Sequence, residues 1–511
     1  MTELDWDEII LPRLIDRFAA RTPEAICASF ADTAAWTWRQ AQQEMNRAAA
    51  CLQARGLRRG ERVLVAQRNG PDWLRAWWGI TAAGGVIAPI NPTLKGDLLR
   101  HCCETADPSI VVADQPAARQ IAELGLAATI LSPADLVEGP DSPEPVTPAL
   151  APWDTHAIVF TSGTTGPSKG VVITYLHSYR SGVDCDWDPG PADVFLAWSP
   201  LFHVSAQANA YGIWVGGGTL AVRDGIHRRD FLDVVRAAGA TMTNLVGGIG
   251  NVLASTPEQP GDHENPLRVV KTSPMVADPE GFMRRFGIAE LVVAFGMTEI
   301  GTVMSYRSSS FPNPDTCGRA RHGAELRLVD DNDMQVAEGE VGELILRCDQ
   351  PWEITPAYFG QPEATARAWR NGWFHTGDLM RRDAEGHYYF ADRAKDALRR
   401  RGENISSFEV EREVATHPGV QEVACVGVAG EFGDDEVKVW VVPRPGAVID
   451  PAELVQYLER RMAPFMVPRY VEVVDSLVKT PSMRVYKQAL RALGNSEATW
   501  DRDAARTERR T

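Results

Sequence analysis

The chain has 511 residues, 44% of them hydrophobic and 23% charged, with 52 basic against 68 acidic side chains and a formal net charge of −16. That length allows two or more domains with a substantial core, and the composition is that of an ordinary soluble globular protein. So acidic a balance argues against nonspecific binding to nucleic acid or an anionic membrane. Eight scattered cysteines without CxxC spacing argue against a zinc site or a disulfide framework, and suggest a reducing, cytoplasmic setting.

The N-terminus, Met1-Thr2-Glu3-Leu4-Asp5-Trp6-Asp7, is acidic and is not read as a signal peptide. Thr37–Arg55 reads as a helix, Arg62–Ala66 as a strand, Pro71–Ala83 as a helix and Val86–Pro89 as a strand. The apolar stretch from Trp73 to Pro89 contains Arg75 and glycines and falls short of a membrane span. Residues 116–150, rich in Ala, Pro, Asp and Glu, read as a loosely held connection.

A buried strand, Ala157-Ile158-Val159-Phe160, then leads into Thr161-Ser162-Gly163-Thr164-Thr165-Gly166-Pro167-Ser168-Lys169-Gly170, and Val171-Val172-Ile173 follows. Glycines let backbone approach a ligand closely, and hydroxyls plus a lysine offer donors to phosphate oxygens. The four-residue gap before Gly-Lys-Ser/Thr is missing, so a Walker-type NTPase reading fails at the spacing. Taken alone, such a cluster is a flexible turn.

Alternation resumes with strands Val194–Trp198, Thr219–Val222 and Thr241–Val246 and the helix Phe231–Ala238, which predicts largely parallel, helix-covered sheets. Beyond Gly323 the short runs Ala324–Val329, Gly342–Arg347 and His387–Phe390 predict an antiparallel sheet or small barrel. After Lys395 a new unit begins. Ser406 or Ser407 can cap a helix through His417, with Glu409 and Glu411 in its first turn. Val423–Val428, Val437–Val442, a helix at Pro451–Arg461 and Tyr470–Val474 complete a compact α+β unit. The expected class is therefore α/β, with a large unit over 1–392, a junction at 393–396, a small unit over 397–494 and a disordered tail over 495–511.

Several motifs recur in order along nearly the whole chain. They are the Thr161–Gly170 loop, Phe295-Gly296-Met297-Thr298-Glu299, Gly342-Glu343-Leu344, Tyr358-Phe359-Gly360 and Trp373-Phe374-His375-Thr376-Gly377-Asp378. Asp392-Arg393-Ala394-Lys395-Asp396, Arg401-Gly402-Glu403-Asn404-Ile405-Ser406 and Glu409-Val410-Glu411 follow. This set resembles the signature of the adenylate-forming superfamily of acyl-CoA synthetases, peptide-synthetase adenylation domains and luciferases. The Arg401–Ser406 segment and Ala415-Thr416-His417-Pro418 look most like the crotonobetaine/carnitine-CoA ligase branch.

The resemblance implies two packed α/β subdomains plus a small β-barrel in the AMP-binding N-terminal domain, a hinge at Lys395, and a mobile C-terminal domain. It implies an ATP-dependent carboxylic acid:CoA ligase that forms an acyl-adenylate, releases pyrophosphate and passes the acyl group to CoA. Its needs are ATP, Mg²⁺ and CoA as co-substrate, with a small carboxylic acid as partner; the oligomeric state stays open, a homodimer included. Thr161, Ser162, Gly163, Thr164, Thr165 and Lys169 would cradle the nucleotide phosphates, together with Phe295, Gly296, Met297 and Thr298. Lys169 is equally a solvated loop lysine. Glu299, with Thr165, would hold Mg²⁺, although a Glu after a strand is by default a solvated turn residue. Thr298 would meet the α-phosphate or the substrate carboxylate.

By the same resemblance Asp378 accepts both ribose hydroxyls, against the plain reading of an Asx-turn residue, and Arg393 adds a ribose or phosphate contact. His203, otherwise a core histidine, would gate the acyl pocket or orient the carboxylate. Tyr211, Asn244, Gly247, Gly248, Phe295 and Val303 are candidate pocket walls. Gly402 and Glu403 would line the thiol tunnel, and Arg400 and Arg401 of the Arg399-Arg400-Arg401 run would dock CoA phosphates unless that run is merely solvated.

Two departures stand out. Lys271-Thr272-Ser273-Pro274 replaces a usual Gly-Gly-Ala-Pro block and adds a charge near the adenine or acyl site. Pro481-Ser482-Met483-Arg484-Val485-Tyr486-Lys487 places Arg484 where the family carries its catalytic lysine, and a planar guanidinium is not a compact ammonium. Either Arg484 does the work, or Lys487 or Lys479 reaches in, or adenylation is altered. The alternatives are an adenylate-former with another acceptor or acid (amide ligase, carrier-protein loading, nitrite-dependent diazotase) and a non-catalytic nucleotide-binding homologue.

Overall fold

A computed structural model describes residues 5–508, apart from 162–167, 247–248, 255, 274, 331, 394–396, 401–402, 431–433, 479–484 and 486. The first sheet has the spatial order Thr129–Leu131, Ile110–Ala113, Arg62–Ala66, Val86–Pro89, β1 (Thr155–Thr161) and β2 (Lys169–Thr174). Its strands run parallel except for β2, which pairs antiparallel with β1, Thr161 opposite Lys169. Arg62–Ala66 and Val86–Pro89 are valine- and alanine-rich and almost wholly buried, as strands covered on both faces must be. The helix Trp38–Ala54 starts at Thr37, whose side chain accepts from the Gln40 amide while the Gln40 side chain returns to the Thr37 amide.

Residues 116–150 are more structured than their composition suggests. The helix Gln115–Ala122, the edge strand Thr129–Leu131 and a 3₁₀ turn at Pro133–Val137 account for their first half, held by Ile121 and Leu136 in the core.

Between the sheets lie α1 (Tyr175–Val183) and α2 (Val204–Val215), packed in a core that includes Trp38, Trp73, Trp77, Trp78, Trp187 and Trp214. The second sheet runs through Ile26–Ser29, Thr219–Val222, Val194–Ala197, β3 (Met242–Val246), β4 (Val269–Ser273), β5 (Glu290–Met297) and β6 (Gly301–Ser308). It continues without a break into the antiparallel strands, in spatial order Thr316–Ala320, β8 (Tyr388–Arg393), β7 (Trp373–Arg382), Gly342–Cys348 and Ala324–Val329. The expected barrel strands are thus hydrogen-bonded in series with the parallel sheet rather than standing apart. Strands β3, β4 and β5 are parallel neighbours, so their C-terminal ends converge on one edge, where ligand sites gather in such sheets.

At the opposite edge Arg268 forks onto Asp193 at 2.7 and 2.6 Å, tying the entry of β4 to that of Val194–Ala197. Burial pushes the Asp193 carboxyl up, but hydrogen bonds from Arg268, the Gly190 amide and Thr241 outweigh it and hold the group at about 2. A carboxyl depressed in the folded state stabilises above its unfolded value and loses that contribution as pH falls through about 2. The contribution at neutral pH is on the order of 2 kcal/mol. Asp193→Asn is expected to lower Tm at pH 7, and thermal melts should show the gap to wild type closing as pH approaches 2.

The C-terminal unit contains the pair Ala397–Arg400 and β9 (Glu403–Ser406), then α3 (Ser407–Ala415) and a sheet of Val420–Ala429, Asp435–Pro443, Tyr470–Val473 and Trp500–Asp501. The last strand corrects the expected disordered tail. Trp500 packs on the domain core, Thr499 Oγ1 and the Gly494 carbonyl accept from the buried Lys438, and Arg502–Glu508 forms a terminal helix. The domain docks on the N-terminal unit partly through Leu98, which is buried in the C-terminal core. Among the described residues no helix is long and apolar enough to cross a membrane.

Candidate active site

Three segments distant in sequence meet beside the phosphate loop. Glu299 follows β5, is 6% exposed, and accepts a hydrogen bond from the Tyr358 hydroxyl at 2.9 Å. The Lys169 ammonium lies over the Tyr358 ring, 4.5 Å from its centroid. Tyr358 is placed by the backbone, since Phe359 N–H donates to Gly170 O and Val172 N–H to Ala357 O. Burial and the neighbouring Glu299 carboxylate push the Tyr358 hydroxyl far up, so it stays a donor. Sequence reasoning quoted Tyr358 only as motif; its bond to Glu299 crosses 59 positions and left no local signal.

Gly296 sits where a Cβ would meet the Gly301 carbonyl oxygen at 2.1 Å, at a bulge between β5 and β6. Only glycine closes that turn, and the turn carries half-buried Met297 and Thr298 to the same edge as Glu299. Phe295 is half-buried beside them.

Asp378 lies in β7, 4% exposed, after Gly377 at φ +73°. The Gly377 amide donates to Glu343 Oε1 at 3.0 Å and the Asp378 amide to Thr376 Oγ1 at 3.1 Å, which fixes the turn. The β7–β8 register sets Asp378 opposite Arg393.

His203 immediately precedes α2, and its Nε2 is 2.8 Å from Glu403 Oε2 of the C-terminal domain. A second contact between domains was not legible in sequence: Glu409 Oε1 accepts from Ser168 N–H at 2.9 Å and Ser168 Oγ–H at 2.5 Å. Burial pushes the Glu409 carboxyl up against the lowering effect of those two bonds. The C-terminal domain therefore touches both the end of the 161–170 loop, at Ser168, and the start of α2.

Several expected site residues belong elsewhere. Arg400 is 1% exposed, donating to the Phe465 and Val467 carbonyls and paired with Glu436 at 2.7 Å, so it braces the C-terminal domain rather than docking CoA. Tyr211 is a fully buried core residue; its hydroxyl donates to Ile9 O, and it packs against Trp77 and His156. Val303 is buried in an apolar cluster with Leu344 and Phe374. Asn244 is buried in β3 beside Lys271. Lys487 is engaged within its own domain by Glu411 and Ser407, both at 2.7 Å, so it does not reach toward Glu299 here. Ser162, Gly163, Thr164, Thr165, Gly247, Gly248, Lys395, Lys479, Arg401, Gly402 and Arg484 lie outside the described residues.

The donor set suits a magnesium nucleotide. Glu299 is a single buried hard-oxygen donor, and among the described residues no group of three His, Cys, Asp or Glu could hold a metal unaided. A lone carboxylate that shares Mg²⁺ with phosphate oxygens is a usual arrangement.

Comparison with known proteins bears out the resemblance. Residues 15–359 match the family model of the AMP-binding enzyme, and residues 409–484 that of the AMP-binding enzyme C-terminal domain. The crotonobetaine/carnitine–CoA ligase of Salmonella agona is 31% identical over 476 residues, covering 88% of this chain and 92% of that one. ATP-bound MatB from Rhodopseudomonas palustris is 26% identical with a TM-score of 0.69, covering 94% of this chain and 98% of that one. A double mutant of o-succinylbenzoate CoA synthetase from Bacillus subtilis, bound with the product analogue OSB-NCoA, has the same coverage, a TM-score of 0.84 and 22% identity, and so speaks for the fold alone.

Proposed function

From the premise that this chain belongs to the AMP-binding enzyme family of adenylate-forming ligases, we propose that it is an ATP-dependent carboxylic acid:CoA ligase. A carboxylate is a poor acyl donor because its leaving group would be oxide. In the first half-reaction a carboxylate oxygen bonds to the α-phosphorus of ATP and the bond to pyrophosphate breaks. In the second, the CoA sulfur bonds to the acyl carbon, AMP leaves, and the thiol proton passes to a base.

The observation that carries the acceptor is the meeting of Glu403 with His203, which brings the C-terminal domain to the start of α2. Glu299 would hold Mg²⁺, whose chemistry is to neutralise phosphate charge, and Asp378 would accept the ribose hydroxyls. Thr298 and the 161–169 loop would steady the phosphates, and His203 would gate the route by which thiol arrives. Pyrophosphate release over a panel of small acids, with and without CoA, tests the proposal. The expected result is CoA-dependent thioester; transfer of the acyl group to an added amine or carrier-protein thiol but not to CoA would overturn the acceptor, and no product with any acid would favour a non-catalytic homologue.

Arg484 is the feature that favours a second reading, in which adenylation is altered. On the first reading its guanidinium bridges carboxylate and α-phosphate less compactly than an ammonium does. Arg484→Lys should therefore preserve or raise carboxylate-dependent pyrophosphate release. A complete loss would mean that this position does not correspond to the family's lysine.

A further inference from the structure

We propose that the acid carries a second anionic group, a carboxylate at the end remote from the reacting one, and that Lys271 receives it. This rests on the adenylation reading and adds to it the class of acid.

Lys271 lies in the middle of β4, flanked by Asn244 of β3 and Val292 of β5. Strand alternation turns it, with Val269 and Ser273, toward α1 and α2, since Val269 shares a core cluster with Trp187 and Trp214 while Val270 packs on the other side of the sheet. Asn244, Val269 and Val292 are buried, yet Lys271 and Ser273 keep partial exposure, as do Val246 and Ala294 on the neighbouring strands. A lysine at the centre of a covered sheet is exposed only if it lines a recess. That recess opens along β4 toward the edge where Thr298 and Glu299 lie.

The ammonium is held in place by Asn209 Oδ1 at 2.8 Å, Cys185 Sγ at 3.1 Å and the face of Trp187, 4.7 Å from the ring centroid. Among the described residues no carboxylate pairs with it. The nearby acids are engaged elsewhere: Asp184 with Arg180 and Arg321, each at 3.4 Å, and Asp186 with Ser305 at 2.7 Å. An ammonium has three donors; Asn209 and Cys185 take two, and the third, over the Trp187 face, is the one a guest carboxylate would take. A half-buried cation without a counter-ion is costly, and an anionic guest relieves that cost.

Two rulers set the depth of the recess. Asn209 is six positions along the chain from His203, about 9 Å of helix. Lys271 is two residues, about 7 Å, short of the strand end at Ser273. Both place Lys271 roughly 7–9 Å below that edge, so the remote carboxylate is received deep in the recess. The same geometry argues against the quaternary-ammonium acids named for the Salmonella relative. The indole face that could cradle such a cation already holds the Lys271 ammonium.

The experiment compares α,ω-dicarboxylates of increasing length with monocarboxylates of equal length, by pyrophosphate release and by calorimetric titration, in wild type, Lys271→Met and Lys271→Arg. The wild type should favour the matching diacid by about 10- to 100-fold in kcat/KM. Lys271→Met should invert that preference, and Lys271→Arg should restore most of it, which a merely structural lysine would not do. Equal use of diacids and monoacids in wild type, or a preference untouched in Lys271→Met, overturns the inference while adenylation stands. Diacid binding that depends on Lys271 without pyrophosphate release supports the inference and overturns the ligase reading; neither binding nor release overturns both.

Discussion

Glu299→Gln is expected to lower pyrophosphate release by about 100- to 1000-fold at saturating ATP and acid. Glutamine keeps an oxygen that can accept from the Tyr358 hydroxyl, so the contact that seats the side chain survives. What is lost is the negative charge that, on the proposed function, would share Mg²⁺ with the phosphates. A titration of Mg²⁺ in a pyrophosphate-coupled assay should show a much higher metal requirement with Tm little changed. An unaltered metal dependence would mean that Glu299 serves only to hold Tyr358.

Asp378→Ala is expected to raise the KM for ATP by about 100-fold or more. Two hydrogen bonds to a carboxylate contribute about 1.5–3 kcal/mol each, and every 1.4 kcal/mol is about a factor of ten. The sharper readout is chemical: wild type should discriminate against 2′-deoxy-ATP, and Asp378→Ala should treat ATP and the deoxy nucleotide alike. Persistent discrimination would place the ribose elsewhere, since the alanine variant keeps the Thr376–Gly377 turn intact.

The site was legible in sequence wherever chemistry and local structure coincide. Gly296 closes a turn that only glycine fits, and Gly377 sits at positive φ, so both leave their mark as motif glycines next to Glu299 and Asp378. The strands Arg62–Ala66, Val86–Pro89 and Thr219–Val222 could be read because their runs are apolar and bounded by turns. Helix α2 escaped because Val204–Val215 is buried on every side from Ala206 to Trp214, the polar Gln207 and Asn209 included, and shows no 3.6-residue stripe. Arg400 and Tyr211 were misplaced for a related reason, as their partners Phe465, Val467, Glu436 and Ile9 lie far along the chain. The tail misled through its composition: Trp500 and Thr499 are few residues, but each meets a preformed partner in the sheet or at Lys438. Pairings such as Glu409 with Ser168, separated by 241 positions, have no local signature at all.

On the proposed function, that last pairing would make the molecule sensitive to how many phosphates it holds. A buried carboxylate at the tip of an anion cradle is tolerable while the cradle is lightly charged, and increasingly unfavourable as charge accumulates there. On that function, arrival of a triphosphate would favour withdrawal of the smaller domain through simple repulsion, and departure of pyrophosphate would invite its return.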